Sequence, residues 1–141
     1  MQIKGLSMYS STAKPATKGE YSSNCYEVGL TDIDIVQTKN DTEKDWLSDY
    51  IANHSREIDI KDEDGNTIGT RSMFKIKNSR YEIPMFDMNG DRLPKAVALS
   101  NGTAITLELA KQHSDKYNTD YLVVKAIQVN EPIKEFNPFK K

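Results

Sequence analysis

The chain has 141 residues, 37% hydrophobic and 28% charged, with a net charge of −2. Its single cysteine, Cys25, excludes an intrachain disulfide and points to a reducing, cytoplasmic setting. No apolar run approaches the roughly 20 residues of a membrane-spanning helix and none follows the N-terminus, so neither a membrane anchor nor a signal peptide is expected.

The first predicted strand is Ile3 to Tyr9, followed by a polar loop from Ser10 to Tyr21 with Lys14, Pro15, Lys18 and Gly19. A second strand spans about Asn24 to Leu30, with Tyr26, Val28 and Leu30 on one face. Trp46, Leu47, Tyr50 and Ile51 then recur at helical spacing. They predict one helix over Thr42 to His54, capped by Asp41 or Thr42 and favoured by Glu43 and Asp45 near its positive end. Beyond the helix, Asp64-Gly65, Asn89-Gly90 and Asn101-Gly102 each supply a residue pair that tolerates positive φ, as tight hairpin turns require.

The segments between these turns alternate. Arg71 to Lys77 puts Ser72, Phe74 and Ile76 on one face and Arg71, Met73, Lys75 and Lys77 on the other. Tyr81 to Phe86 is short, and Pro84 makes it an edge or irregular strand. Thr103 to Leu109 sends Ile105, Leu107 and Leu109 one way, and Tyr121 to Val129 is the longest apolar run. Five or six strands with one helix after the second predict a mainly β fold, a small barrel or compact sandwich. Pro132 and Pro138 mark the C-terminal end as a tail.

Charge is unevenly spread. Glu27 to Asp64 holds 12 acidic and 4 basic residues, leaving 9 acidic and 15 basic for the rest. Such asymmetry fits a polyanion site, although two ordinary solvated faces would produce it equally.

Catalytic parts are missing, so no enzyme and no cofactor is expected. His54 and His113 have no Cys, His or carboxylate at metal-ligand spacing, and Cys25 has no basic neighbour in sequence. Asp59, Asp62, Glu63 and Asp64 invite a calcium-loop test. Aligning Gly65 with the loop glycine puts Ile60 at the first ligand position and Arg71 at the last, and both are wrong.

A binding constellation remains. Single-stranded DNA needs cations along its backbone and aromatic faces under its bases. Lys14, Lys18 and Tyr21 interleave in the first loop, as do Arg71, Phe74, Lys75, Lys77, Arg80 and Tyr81 further on. Phe74 shares a face with Ile76, so a core role competes with stacking, and Tyr81 is the better platform. Tyr9 and Tyr26 fit either role. Tyr117 and Tyr121 flank a hairpin loop with Lys111 and Lys116 that could close over a strand.

The order of segments resembles the single-stranded DNA-binding proteins of tailed phages, the T7-like type with an OB-fold. The likeness lies in Tyr9-Ser-Ser-Thr-Ala-Lys-Pro with Cys25-Tyr-Glu-Val-Gly-Leu, in Phe74-Lys-Ile-Lys with Phe86-Asp-Met-Asn-Gly-Asp, and in Val97-Ala-Leu-Ser-Asn-Gly-Thr-Ala-Ile-Thr-Leu-Glu-Leu leading to Tyr121-Leu-Val-Val-Lys-Ala-Ile-Gln-Val. These cover most of residues 1–133, and no single motif among them is specific.

The resemblance implies an OB-fold-like five-stranded barrel over residues 1–133 with a flexible tail over 134–141. It implies a protein of the infected host's cytoplasm that coats single-stranded DNA during replication, recombination and repair. The implied partners are phage DNA polymerase and helicase–primase, with a homodimer as the assembly. The family's acidic tail has no counterpart in Glu135-Phe-Asn-Pro-Phe-Lys-Lys, although Phe136 and Phe139 are present. Either the chain is shortened or partner contacts lie elsewhere, on the acidic helix region. A structural β-domain of a virion, such as a tail or decoration protein, is the alternative. A magnesium-dependent nuclease using carboxylates among residues 59–64 is a weaker third.

Overall fold

The alternation of Tyr26, Val28 and Leu30 becomes one wall of a β-rich core. The computed structural model describes residues 1–10, 12, 26–77 and 82–132. In chain order these form β1 (Gln2–Ser7), β2 (Glu27–Gln37), α1 (Asp41–His54), β3 (Ser55–Lys61), β4 (Thr67–Lys77), β5 (Met85–Phe86), β6 (Ala104–Ser114) and β7 (Thr119–Val129).

The strands make one sheet in the order β3-β4-β2-β1-β6-β7-β5. Every ladder is antiparallel except β5 on β7. Five strands (β1, β2, β4, β6 and β7) carry the OB-like arrangement, with the helix after the second strand as the sequence predicts. β4 and β7 approach each other at the seam, where their described residues form no ladder.

Register explains the core. Val28 lies opposite Ile76 and Leu30 opposite Phe74 across β2 and β4, and all four are at most 5% exposed. Ile105, Leu107 and Leu109 of β6 meet Leu122, Val124 and Ile127 of β7 from the other side. Leu47 is fully buried under the helix, with Tyr50 and Ile51 at i+3 and i+4 from it and Trp46 at i−4 from Tyr50, all packed against the core. Burying a leucine contributes about 1.5–3 kcal/mol, enough to dock a short helix.

The helix cap is Asn40 rather than Asp41 or Thr42. Its side-chain oxygen accepts the Glu43 N–H at 2.9 Å, while Glu43 Oε1 accepts the Lys39 N–H at 3.1 Å. Two predicted turns share one geometry. Asp62 Oδ1 accepts the N–H groups of Asp64 and Asn66, Asp87 Oδ1 accepts those of Asn89 and Asp91, and Gly65 and Gly90 take φ of 83° and 85°.

Four strand boundaries differ from expectation. β2 continues to Gln37, because two residues, Asp32 and Ile33, bulge opposite Gly5 and interrupt the alternation, with Asp32 at φ 54°. β3 and β4 form the hairpin expected at Asp64-Gly65, but β4 begins at Thr67 rather than Arg71 and its partner strand Ser55–Lys61 is unexpected. The short strand before the Asn89 turn is only Met85–Phe86, and Pro84 supports it by accepting the Ile127 N–H at 2.9 Å. β6 runs on to Ser114 and pairs along its full length with β7.

Met73, expected to face outward, is 1% exposed. The chain leaving β1 crosses the outer face of β2, and the Met8 N–H donates to the Gly29 carbonyl at 2.9 Å. A Cβ at Gly29 would collide with the Met8 carbonyl and lie 3.5 Å from Met73 Sδ, so only glycine permits this crossing.

Candidate functional site

The seam between β4 and β7 opens into a groove of about 620 Å³. Ile76 and Leu122, both buried, form its apolar floor. The last turn of α1 and the start of β3 contribute Tyr50, His54 and Arg56 from one side, and β4 contributes Lys75 and Lys77. Tyr121 of β7 stands at the far wall, 36% exposed.

The helix presents its rings because Tyr50 and His54 are four residues apart and share a face. Their rings stack with centroids 3.9 Å apart and planes 16° apart. Phe74 meets Tyr50 edge-on at 6.1 Å and 89°. His54 Nδ1 lies 2.8 Å from the Tyr50 carbonyl, a local bond that holds the imidazole against the phenol. The Tyr50 hydroxyl accepts the Leu122 N–H at 3.4 Å and so ties the helix to β7 across the seam. Tyr121 donates its hydroxyl to Gln112 Oε1 at 3.0 Å, which fixes its ring beside the β6–β7 ladder.

Among the described residues, three cations line the groove against one carboxylate. Lys75 Nζ is 2.7 Å from Glu27 Oε2, while Arg56 and Lys77 are exposed. Glu27 is the direct cross-strand neighbour of Lys77 and the diagonal neighbour of Lys75, so it sits between the two lysines. Alternation on β4 places Lys75 and Lys77 on the same face.

Of the predicted binding residues, the structure brings Lys75 and Lys77 together. Phe74 is 1% exposed and belongs to the core, since its partner Leu30 faces inward; it offers no platform to a ligand. Arg71 lies six residues before Lys77 on the same strand, about 20 Å away at strand rise. There it pairs with Ile58 on the protruding hairpin and faces a separate hollow with Asp32 and Ser72. Lys111 is also elsewhere. Its Nζ sits 4.4 Å over the Trp46 ring and 3.7 Å from Asp120, on the other flank of the helix. Lys14, Lys18, Tyr21, Arg80 and Tyr81 lie outside the described residues, as do Cys25 and the predicted tail.

Tyr50, His54, Arg56 and Glu27 are absent from the sequence-based set. The i, i+4 aromatic pair at the predicted helix end, followed two residues later by an arginine, was a readable signal for three of them. The charge division is also less clean than the sequence suggests. Glu27 and Arg56 come from the acidic segment and line the groove with Lys75 and Lys77 from the basic remainder.

On the β6–β7 hairpin, His113 Nδ1 is hydrogen-bonded to Asp120 Oδ1 at 2.8 Å. That bond, helped by the charge of Lys111, holds the Asp120 carboxyl below its usual range. Among the described residues no cluster of three or more His, Cys, Asp or Glu side chains is placed to hold a metal ion. No helix among them is long and apolar enough to cross a membrane.

No protein-family model matches the sequence, and no curated protein matches it. Solved structures do. The single-stranded DNA-binding protein from bacteriophage Enc34, in complex with single-stranded DNA, aligns with a TM-score of 0.55 at 12% identity, covering 99% of this chain and 89% of that one. Its C-terminal truncation gives 0.53 at 11% identity, over 96% and 88%. The bacteriophage T7 single-stranded DNA-binding protein gp2.5 aligns at 15% identity over 97% and 90%, with a score of 0.47. The two Enc34 structures establish that this chain shares the fold of a phage single-stranded DNA-binding protein.

Proposed function

We propose that this chain binds single-stranded DNA without sequence specificity along the β4–β7 groove. The observation that carries the reading is the convergence of Arg56, Lys75 and Lys77 with the Tyr50–His54 stack and Tyr121 around one open, apolar-floored groove. Cations on the rim suit a sugar-phosphate track. Exposed rings suit bases of any identity, each stack contributing about 1–3 kcal/mol. The Enc34 protein, bound to single-stranded DNA in its own structure, shows that this fold can serve such a ligand.

The reading extends to a coating and protecting role in phage DNA replication, recombination and repair in the host cytoplasm, with contacts to phage polymerase and helicase–primase. The phage source of the structural neighbours supports that extension.

Titration of a labelled oligothymidine between about 50 and 200 mM salt tests the binding, with an expected log–log slope near −0.7 per phosphate contacted. With Arg56 and Lys77 engaged and Lys75 paired to Glu27, the slope is about −1.4. Absence of binding at low salt, or affinity indifferent to salt, overturns the proposal.

A further inference from the structure

Where the chain leaves β1 it makes an arch over β2. The Ser7 hydroxyl donates to Ser10 Oγ at 3.0 Å, and the same Oγ accepts the Gly29 N–H at 3.0 Å. The Met8 N–H donates to the Gly29 carbonyl, and the Tyr9 N–H donates to Asn101 Oδ1 at 2.8 Å. Each residue from Ser7 to Ser10 is thus tied down. At the apex Tyr9 takes φ of 51°, a left-handed backbone that a bulky side chain rarely adopts. Tyr9 is 55% exposed, so no core packing offsets that strain. Strain held in place by surrounding bonds is a mark of positions where function fixes a side chain.

The arch stands on the face that bears the groove lysines. Gly29 lies directly opposite Lys75 across β2 and β4, and residues so paired point to the same face. The Met8 carbonyl occupies the place of a Gly29 Cβ, so the arch lies on the face of Lys75 and, two residues on, of Lys77. Tyr9 follows one Cα step later, about 3.8 Å along the chain. In this stretch β2 occupies one edge of β4 and β7 approaches the other. Lys75 and Lys77 therefore stand between the groove and the arch, and neighbouring strands are only about 4.8 Å apart.

We infer that Tyr9 is a stacking platform for a base of the same single strand, one that has left the groove across the face of β4. The inference rests on the single-stranded DNA reading above and extends its path over the sheet. That path runs from Tyr121 past Lys77 to Tyr9, a ring, a cation and a second ring, the interleaving that bases and phosphates require. A ring whose backbone is already pinned lowers the ordering cost of binding. The left-handed backbone at Tyr9 is then the means by which the arch turns a large aromatic side chain out to solvent.

Oligothymidine titration of three variants of the full chain tests the platform. Tyr9→Asn removes the ring and keeps the left-handed backbone, which asparagine accepts more readily. It should bind about 5- to 150-fold more weakly, the loss of one stacked base, with no fall in melting temperature. Its salt slope should stay that of the wild type, because a ring releases no counterions. Tyr9→Phe should bind as the wild type does. Tyr9→Trp should be quenched on saturation beyond the wild type, whose one tryptophan, Trp46, is not among the groove's lining residues. The inference is overturned if Tyr9→Asn binds as the wild type, if its slope or melting temperature falls with its affinity, if Tyr9→Phe loses affinity equally, or if Tyr9→Trp shows no added quenching. Lys77→Ala separates this inference from the groove itself. If Lys77→Ala weakens binding and Tyr9→Asn does not, the groove stands and the platform falls; if neither does, the groove falls too.

Discussion

Glu27 and Lys75 form an ion pair of 2.7 Å on the wall of a groove whose other charged groups, among the described residues, are cations. The two side chains are 16% and 28% exposed, so the pair is only partly screened by solvent. It holds Lys75 toward Glu27 and away from any phosphate entering the groove. Glu27→Gln should therefore release one cation. The expected result is an affinity for oligothymidine higher by about two- to fivefold, with a salt slope steeper by about 0.7. An affinity at or below wild type would show that Lys75 does not reach the ligand.

Cations on and off the groove should behave differently. Arg56→Ala and Lys77→Ala are each expected to lower affinity and reduce the salt slope by about 0.7. Arg71→Ala and Lys111→Ala should leave both unchanged, since Arg71 lies out on the hairpin and Lys111 over Trp46. Lys111→Ala should instead cost about 0.5–1 kcal/mol of stability through the lost cation–π contact, measurable by urea denaturation.

Rings separate along the same line. His54→Ala and Tyr121→Ala should weaken oligothymidine binding by about 1–3 kcal/mol each if each carries one base, with little change in melting temperature because both side chains are exposed. Phe74→Ala removes a fully enclosed ring and should destabilise the fold by about 3–5 kcal/mol. Paired binding and unfolding curves distinguish the two behaviours.

Asp120 sets an acid limit on the β6–β7 hairpin. Its carboxyl is held low in the folded state, first by the His113 hydrogen bond and then by Lys111. A depressed carboxylate contributes stability that is fully present above its unfolded value of about 3.9. That contribution disappears as pH falls through the folded value. Wild type and Asp120→Asn should accordingly differ in denaturation midpoint at neutral pH and converge as pH falls through the lowered value of the folded state. A constant difference across the range would remove Asp120 as the cause.

The sequence was informative where structure is local. The Asp-Gly and Asn-Gly turns, the Trp46–Ile51 helical face and the Ile105–Leu109 alternation each depend on neighbours within a few residues, and each appears as read. β3 was missed because its two isoleucines sit among charges in a ribbon that packs against no core. The length of β2 was missed because the Asp32 bulge shifts the alternation by one residue. Met73 was misplaced because the chain crosses β2 at Met8 and Gly29 next to it, a crossing that no local pattern encodes. The groove suffered in the same way. Lys75 and Lys77 were legible as a pair, but their companions Tyr50, His54 and Arg56 come from a helix end some twenty residues away. Arg71 was grouped with them by strand adjacency, although β4 leaves the barrel before reaching it.

The Leu122 N–H finds a phenol oxygen at 3.4 Å where a neighbouring strand would offer a carbonyl. Over the described length of the seam, then, the aperture is spanned by a side chain on the helix. The bond is long, and it joins helix to strand rather than strand to strand. Tyr50 is therefore a catch between helix and sheet, and a ligand seated in the groove would compete for it.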